Sequence, residues 1–72
     1  MWYDTGMSDK VLAKVQREAG KLAAQGFYFH AKLLSDAIEN GTVASTAERV
    51  AIMLERVRRF PEAKRVREMV SR

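Results

Sequence analysis

The stretch Gly20-Lys21-Leu22-Ala23-Ala24-Gln25-Gly26-Phe27-Tyr28-Phe29-His30-Ala31-Lys32-Leu33-Leu34 decides how the rest of the chain is read. Upstream of Gly26, the apolar residues Val11, Leu12, Val15, Ala19, Leu22 and Ala23 recur at helical spacing. Downstream, Phe27, Ala31, Leu34 and Ile38 make a second stripe, widened by Leu33 and Ala37. Gly26 stands where the first stripe stops, and glycine takes the left-handed backbone that closes a helix without steric cost. Two helices with so short a link form an antiparallel helical hairpin. The predicted spans are about 9–25 and 27–40, with Asp9 favourable in the first turn and Asn40-Gly41 as a second stop. Gly20 weakens the first helix by roughly 1 kcal/mol relative to alanine.

Working outward, Thr42 to Ala44 read as a connection. Ser45-Thr46-Ala47-Glu48 has the form of a capping box, in which Ser45 caps a backbone N–H near Glu48 and Glu48 reaches back. A third helix follows at about 46–59, with Ala47, Val50, Leu54 and Val57 on one face. Pro61 disfavours helix at the residue before it and suits the first turn of a new one. The fourth helix, about 61–71, carries Ala63, Val66 and Val70 on a narrow stripe beside Met69, and frays unless it packs. Residues 1–7 read as an irregular leader, with Trp2 and Tyr3 expected to fold back on the core. No strand alternation or fixed-period repeat is visible. The expectation is a single all-α domain over residues 1–72, a small bundle of three main helices plus a short C-terminal helix.

The 72 residues carry 47% apolar side chains, no cysteine, one histidine and a net charge of +4. That composition suits a globular domain, excludes disulfides and thiolate metal sites, and leaves no apolar run long enough for a membrane span. With no signal-peptide pattern at the start, the expected location is cytoplasmic. The charge is uneven. Residues 1–42 hold five basic and five acidic side chains, whereas 43–72 hold eight and four. Arg49, Arg56, Arg58, Arg59, Lys64, Arg65 and Arg67 make up most of that basic surface, which suits an acidic protein or a nucleic acid.

Chemistry finds little footing. His30 alone cannot build the usual metal site, and its aromatic neighbours point to a structural ring. Asp36 and Glu39 lie on one helix and read as solvated surface. No Walker, GxSxG or HExxH pattern occurs. The chain is therefore expected to be non-enzymatic, without metal or cofactor. Its aromatics say more. Phe27, Tyr28 and Phe29 are consecutive and span about 200° of a helical wheel, so one core face cannot take all three. Tyr28 and Phe29, with Met53 beside the main stripe of helix three, are the candidate protein interface, either for a partner or for a homodimer.

A helix-turn-helix is the main rival. Ala37, Gly41, Ala47 and Val50 fall near the positions that motif requires, with Thr46, Arg49, Met53 and Arg56 on the presumed reading face. Only two of those four are strong DNA contacts. The polar residues Asn40 and Thr42 flank the glycine where apolar packing is usual.

The run Ala19-Gly20-Lys21-Leu22-Ala23-Ala24-Gln25-Gly26-Phe27-Tyr28-Phe29-His30-Ala31 resembles the PerC and ANR groups of small bacterial regulators. Their arginine-rich later helix is similar in kind to Glu48-Arg49 through Arg58-Arg59-Phe60, so the likeness covers about residues 12–60. The tryptophan often found in their second helix and their closing cysteine are missing. The resemblance implies a regulator of virulence-type or mobile-element transcription acting through other regulatory proteins. Three functional expectations follow: a transcriptional modulator that binds a regulator or nucleic-acid-associated complex, a direct DNA binder, and a phage-type inhibitor of a host complex.

Overall fold

The computed structural model describes residues 9–70, and all of its regular structure is helical. The leader and its aromatics Trp2 and Tyr3 lie outside the described residues. Four helices follow one another with short links: α1 (Asp9–Ala24), α2 (Tyr28–Asn40), α3 (Val43–Arg56) and α4 (Phe60–Val70). The helices close a ring. Each packs on its sequence neighbours, and α4 returns to α1, while α1 and α3, like α2 and α4, have no direct backbone approach among the described residues.

The apolar stripes become the core. Val15, Ala19 and Leu22 come from α1, and Ala31, Leu34 and Ala37 from α2. Val43, Ala47, Val50, Ala51 and Leu54 come from α3, and Ala63, Val66 and Met69 from α4. Six of these fourteen are alanines, so the helices can approach closely. Val11, Leu12, Phe27, Leu33, Ile38 and Val70 pack around the edge.

Two boundaries differ from the sequence reading by three residues and the rest by at most one, and each of the two has a local reason. Helix α3 begins at Val43, not near residue 46. Gly41 adopts a left-handed conformation (φ 71°), and its N–H and that of Thr42 both reach the Ala37 carbonyl. That closure turns the chain at once, and buried Val43 starts the new helix. Ser45 consequently makes no capping box: its hydroxyl donates to the Thr42 carbonyl at 3.2 Å. Glu48 turns to Arg67 instead. Helix α3 also stops early, at Arg56, because Arg58 is left-handed (φ 63°). The Arg58 and Arg59 N–H groups bond to the Glu55 and Leu54 carbonyls, closing the helix before Pro61 is reached. The fourth helix does pack, with Val66 fully buried.

The sequence reading saw no repeat, yet the fold contains one. Shifting the chain by 32 positions lays the second hairpin on the first. Val15 falls on Ala47, Ala19 on Ala51, Leu22 on Leu54, Ala31 on Ala63, Leu34 on Val66 and Ala37 on Met69, and all twelve are buried. The turns correspond bond for bond. Phe27 N–H to the Leu22 carbonyl and Arg59 N–H to the Leu54 carbonyl are both 2.8 Å; Ala31 to Phe27 and Ala63 to Arg59 are both 3.0 Å. The α2–α3 contact likewise has its counterpart in the α4–α1 contact. The ring is thus an approximate twofold arrangement of two hairpins.

The two turns differ in one instructive place. Gly26 (φ 92°) and Arg58 (φ 63°) occupy equivalent positions. Left-handed backbone costs a side-chain-bearing residue about 1–2 kcal/mol and costs glycine almost nothing. Arg58→Gly is expected to stabilise the fold by up to about 1 kcal/mol, a rise of several degrees in Tm. Gly26→Ala should lower stability by a similar amount although space for the Cβ is open. Thermal unfolding of the two variants checks both signs.

Candidate functional site

Phe27 and Arg59 are equivalent residues, and they meet: the Arg59 guanidinium lies over the Phe27 ring, 5.2 Å from its centroid. The two hairpin turns therefore sit side by side at one end of the ring. Phe27 is half-buried against the core, and His30 makes edge contacts with the rings of Phe27 (5.3 Å) and Phe29 (6.2 Å). Tyr28 and Phe29, the next two residues, are 71% and 63% exposed. The second turn presents Val57 and Phe60, 56% and 58% exposed. Among the described residues these are four of the five large apolar side chains that stand exposed; the fifth, Ile52, lies on the outer side of α3.

The basic residues divide by what surrounds them. Arg65 bonds Glu18 at 3.2 Å, joining α4 to α1. Arg67 reaches Glu48 at 3.0 Å and also Glu55, which lie two turns apart on α3. Those two arginines thus help close the ring. Arg49, Arg56, Arg58 and Lys64 are exposed and form no ion pair among the described residues. Arg56, Arg58 and Arg59 flank the exposed aromatics, whereas Arg49 is two turns away on α3. Met53 is half-buried, one turn before the patch.

Sequence reasoning placed Tyr28 and Phe29 in one feature and the arginines in another, and it assigned Phe60 to neither surface list. Only the closure of the ring brings them together. Val57 was assigned to the core face of helix three. It instead falls on the turn after α3 has stopped, and is exposed.

Burial holds the His30 imidazole below its usual pKa, and its Nδ1 is shielded without a hydrogen-bond partner among the described residues. The sign of the consequence is fixed. Above the ordinary histidine pKa the ring is neutral folded or unfolded. As pH falls through that value the unfolded chain takes the proton first, so stability declines until the lower folded pKa is reached. Urea titrations at pH 7.5 and 5.5 should show this decline, and His30→Gln should remove its histidine component. Glu48 is also held low, by the hydrogen bond and charge of Arg67.

Two open clefts flank the core. One, about 300 Å³, is lined by Leu12, Ile38 and residues 41–45, and carries no ionisable side chain. The other, about 230 Å³, lies along α1 and α4, where Lys14, Arg17, Lys21 and Arg65 face Glu18 and Glu68. No three His, Cys, Asp or Glu side chains converge as a metal would require among the described residues, and no helix among them is long and apolar enough to cross a membrane. The arrangement with the strongest chemical character is therefore the hairpin-turn end, whose mixture of aromatics and arginines is the composition of protein-binding surfaces. Compared with known proteins, the chain matches no family model, no curated protein and no solved structure.

Proposed function

We propose that this chain is a non-enzymatic binding protein, a small bundle of three main helices plus a short C-terminal helix, that modulates transcription through protein–protein contact. The observation that carries the binding role is the exposure of Tyr28, Phe29 and Phe60 at the end that also holds Arg56, Arg58 and Arg59. Leaving three aromatics in water has no folding rationale, and a partner that covered them would remove the remaining half or more of each ring's surface from solvent. The transcriptional role rests on the likeness to PerC and ANR regulators in residues 12–60. The test is affinity capture by the intact chain from nuclease-treated extract of its native host. One dominant partner is expected, lost with Tyr28→Ala or Phe29→Ala, while Tm stays within about 2 °C because both residues are exposed. If those changes unfold the chain, the aromatics belong to the fold and the reading is wrong.

Direct DNA binding is the second reading, favoured by Arg49 and Arg56 on the outer side of α3 without ion pairs among the described residues. It requires a duplex complex that weakens steeply with salt. No complex at low ionic strength would end it.

A further inference from the structure

We propose that the hairpin-turn end is a docking site for an acidic protein segment bearing apolar anchor residues. This deepens the reading of the chain as a protein-binding module and rests on it.

Charge sets this end apart. Four cations elsewhere are held by carboxylates, Arg65 on Glu18, Arg67 on Glu48 and Glu55, Lys32 on Asp36 and Lys21 on Glu18, and Arg49 and Lys64, unpaired among the described residues, stand singly on α3 and α4. At the hairpin-turn end three arginines without a carboxylate partner fall within four consecutive residues. Arg56 and Arg58 have no ion pair among the described residues, and Arg59 has only the Phe27 ring. Of the nearby carboxylates, Glu55 is already held by Arg67, leaving Glu62. An arriving acidic segment would meet cations that nothing else has neutralised.

The backbone here is also strained. Arg58 occupies a left-handed position that the equivalent turn gives to glycine. A charged side chain is kept where the backbone disfavours it, and strain of that kind concentrates at binding sites. Tyr28, Phe29, Val57 and Phe60 offer apolar contact around the Phe27–Arg59 pair, where the two halves of the ring meet. Aromatic anchors beside arginines dominate protein interfaces.

Single-stranded nucleic acid is the competing class. It would use the rings for stacking, but it needs cations strung along a backbone groove. Here the arginines cluster on one turn, at an end only about two helix diameters wide. Val57 presents no aromatic face for a base.

The test titrates the isotope-labelled intact chain with synthetic peptides of about fifteen residues, long enough for a helix or strand to cover the end. One carries Leu and Phe at helical spacing among Asp and Glu. A second replaces the acids by Lys, and a third replaces the apolar residues by Ala. A short oligothymidylate is the fourth probe. The acidic apolar peptide should shift the amides of residues 26–30, 57–60 and 62 to saturation. Arg56→Glu and Arg58→Glu should each weaken it by about tenfold or more, as for charges inside an interface. Tyr28→Ala with Phe60→Ala should abolish it without unfolding, and Arg49→Glu should leave it unchanged. Arg58→Gly should bind more weakly while melting higher, a pairing that a purely structural arginine would not give. The proposal is overturned if no peptide shifts those amides, if the lysine peptide binds as well, if the oligonucleotide binds more tightly, or if the shifts follow protein concentration alone, which would make a second copy the occupant. A partner captured through Tyr28 that ignores acidic peptides would sink this inference and leave the binding function standing.

Discussion

Leu54→Ala is expected to destabilise the fold by about 2–5 kcal/mol, the range for emptying a fully buried leucine site. Leu54 has no exposed surface, and it lies at the end of α3 where the helix turns back to α4. Its carbonyl receives the N–H groups of both Val57 and Arg59, so the side chain fills the core at the point where the backbone reverses. A chain of this length has a total stability of roughly 4–10 kcal/mol, so the loss is a large share of the whole. Tm should fall by about 10 °C or more. Leu54→Met, which keeps the volume, should cost under about 1.5 kcal/mol. Leu22 is the counterpart in the first hairpin, also buried and also accepting the turn bond from the residue five places on. Leu22→Ala should therefore cost about as much. A loss far below 1 kcal/mol at either position, measured by urea unfolding, would show that the two hairpins do not share one core.

Ending the chain at Arg59 is expected to have the larger effect still: no cooperative unfolding transition. Helix α4 supplies Ala63, Val66 and Met69 to the core and is the main packing partner of α3. Without it, Val50, Ala51 and Leu54 lose much of their cover, and Glu48 and Glu55 lose Arg67. Small chains have no reserve of buried surface to absorb such a deletion. Circular dichroism should show a helical signal reduced by more than the eleven residues of α4 alone, with a broad melt. A sharp transition in the shortened chain would make α4 an accessory and the remaining three helices the folding unit.

The narrow stripe and short length of α4 were visible in the sequence, and both remain true; its share of the core was not, because that depends on what α3 exposes. The same division runs through the rest of the chain. Apolar residues at helical spacing, with Gly26 and Gly41 as stops, made the existence of four helices legible. Their edges depended on weaker signals. Ser45 to Glu48 has the right residues for a cap, but buried Val43 was already the first turn, and an apolar residue in a supposed connection was the sign. The 32-residue correspondence is hidden because few pairs are identical, among them Leu22 with Leu54 and Ala31 with Ala63, while the turns pair Gly26 with Arg58 and Phe27 with Arg59. The interaction surface was half legible. Three consecutive aromatics announced that some must be exposed. That Phe60 and the arginines of the other turn would stand beside them follows only from ring closure, which links residues more than thirty positions apart.

Glu18 and Arg65 occupy the places that Val50 and Leu33 hold in the other half. The two junctions between hairpins are thus made of different materials: one is hydrocarbon, and the other includes an ion pair with Lys21 beside it. Hydrocarbon contact tightens with salting-out ions and is indifferent to charge screening, whereas a half-exposed ion pair weakens as ionic strength rises. The molecule should therefore breathe from one side. Its cheapest excursion parts α1 from α4 and pivots about residues 41–42, keeping both hairpins intact and disturbing the hydrocarbon junction least.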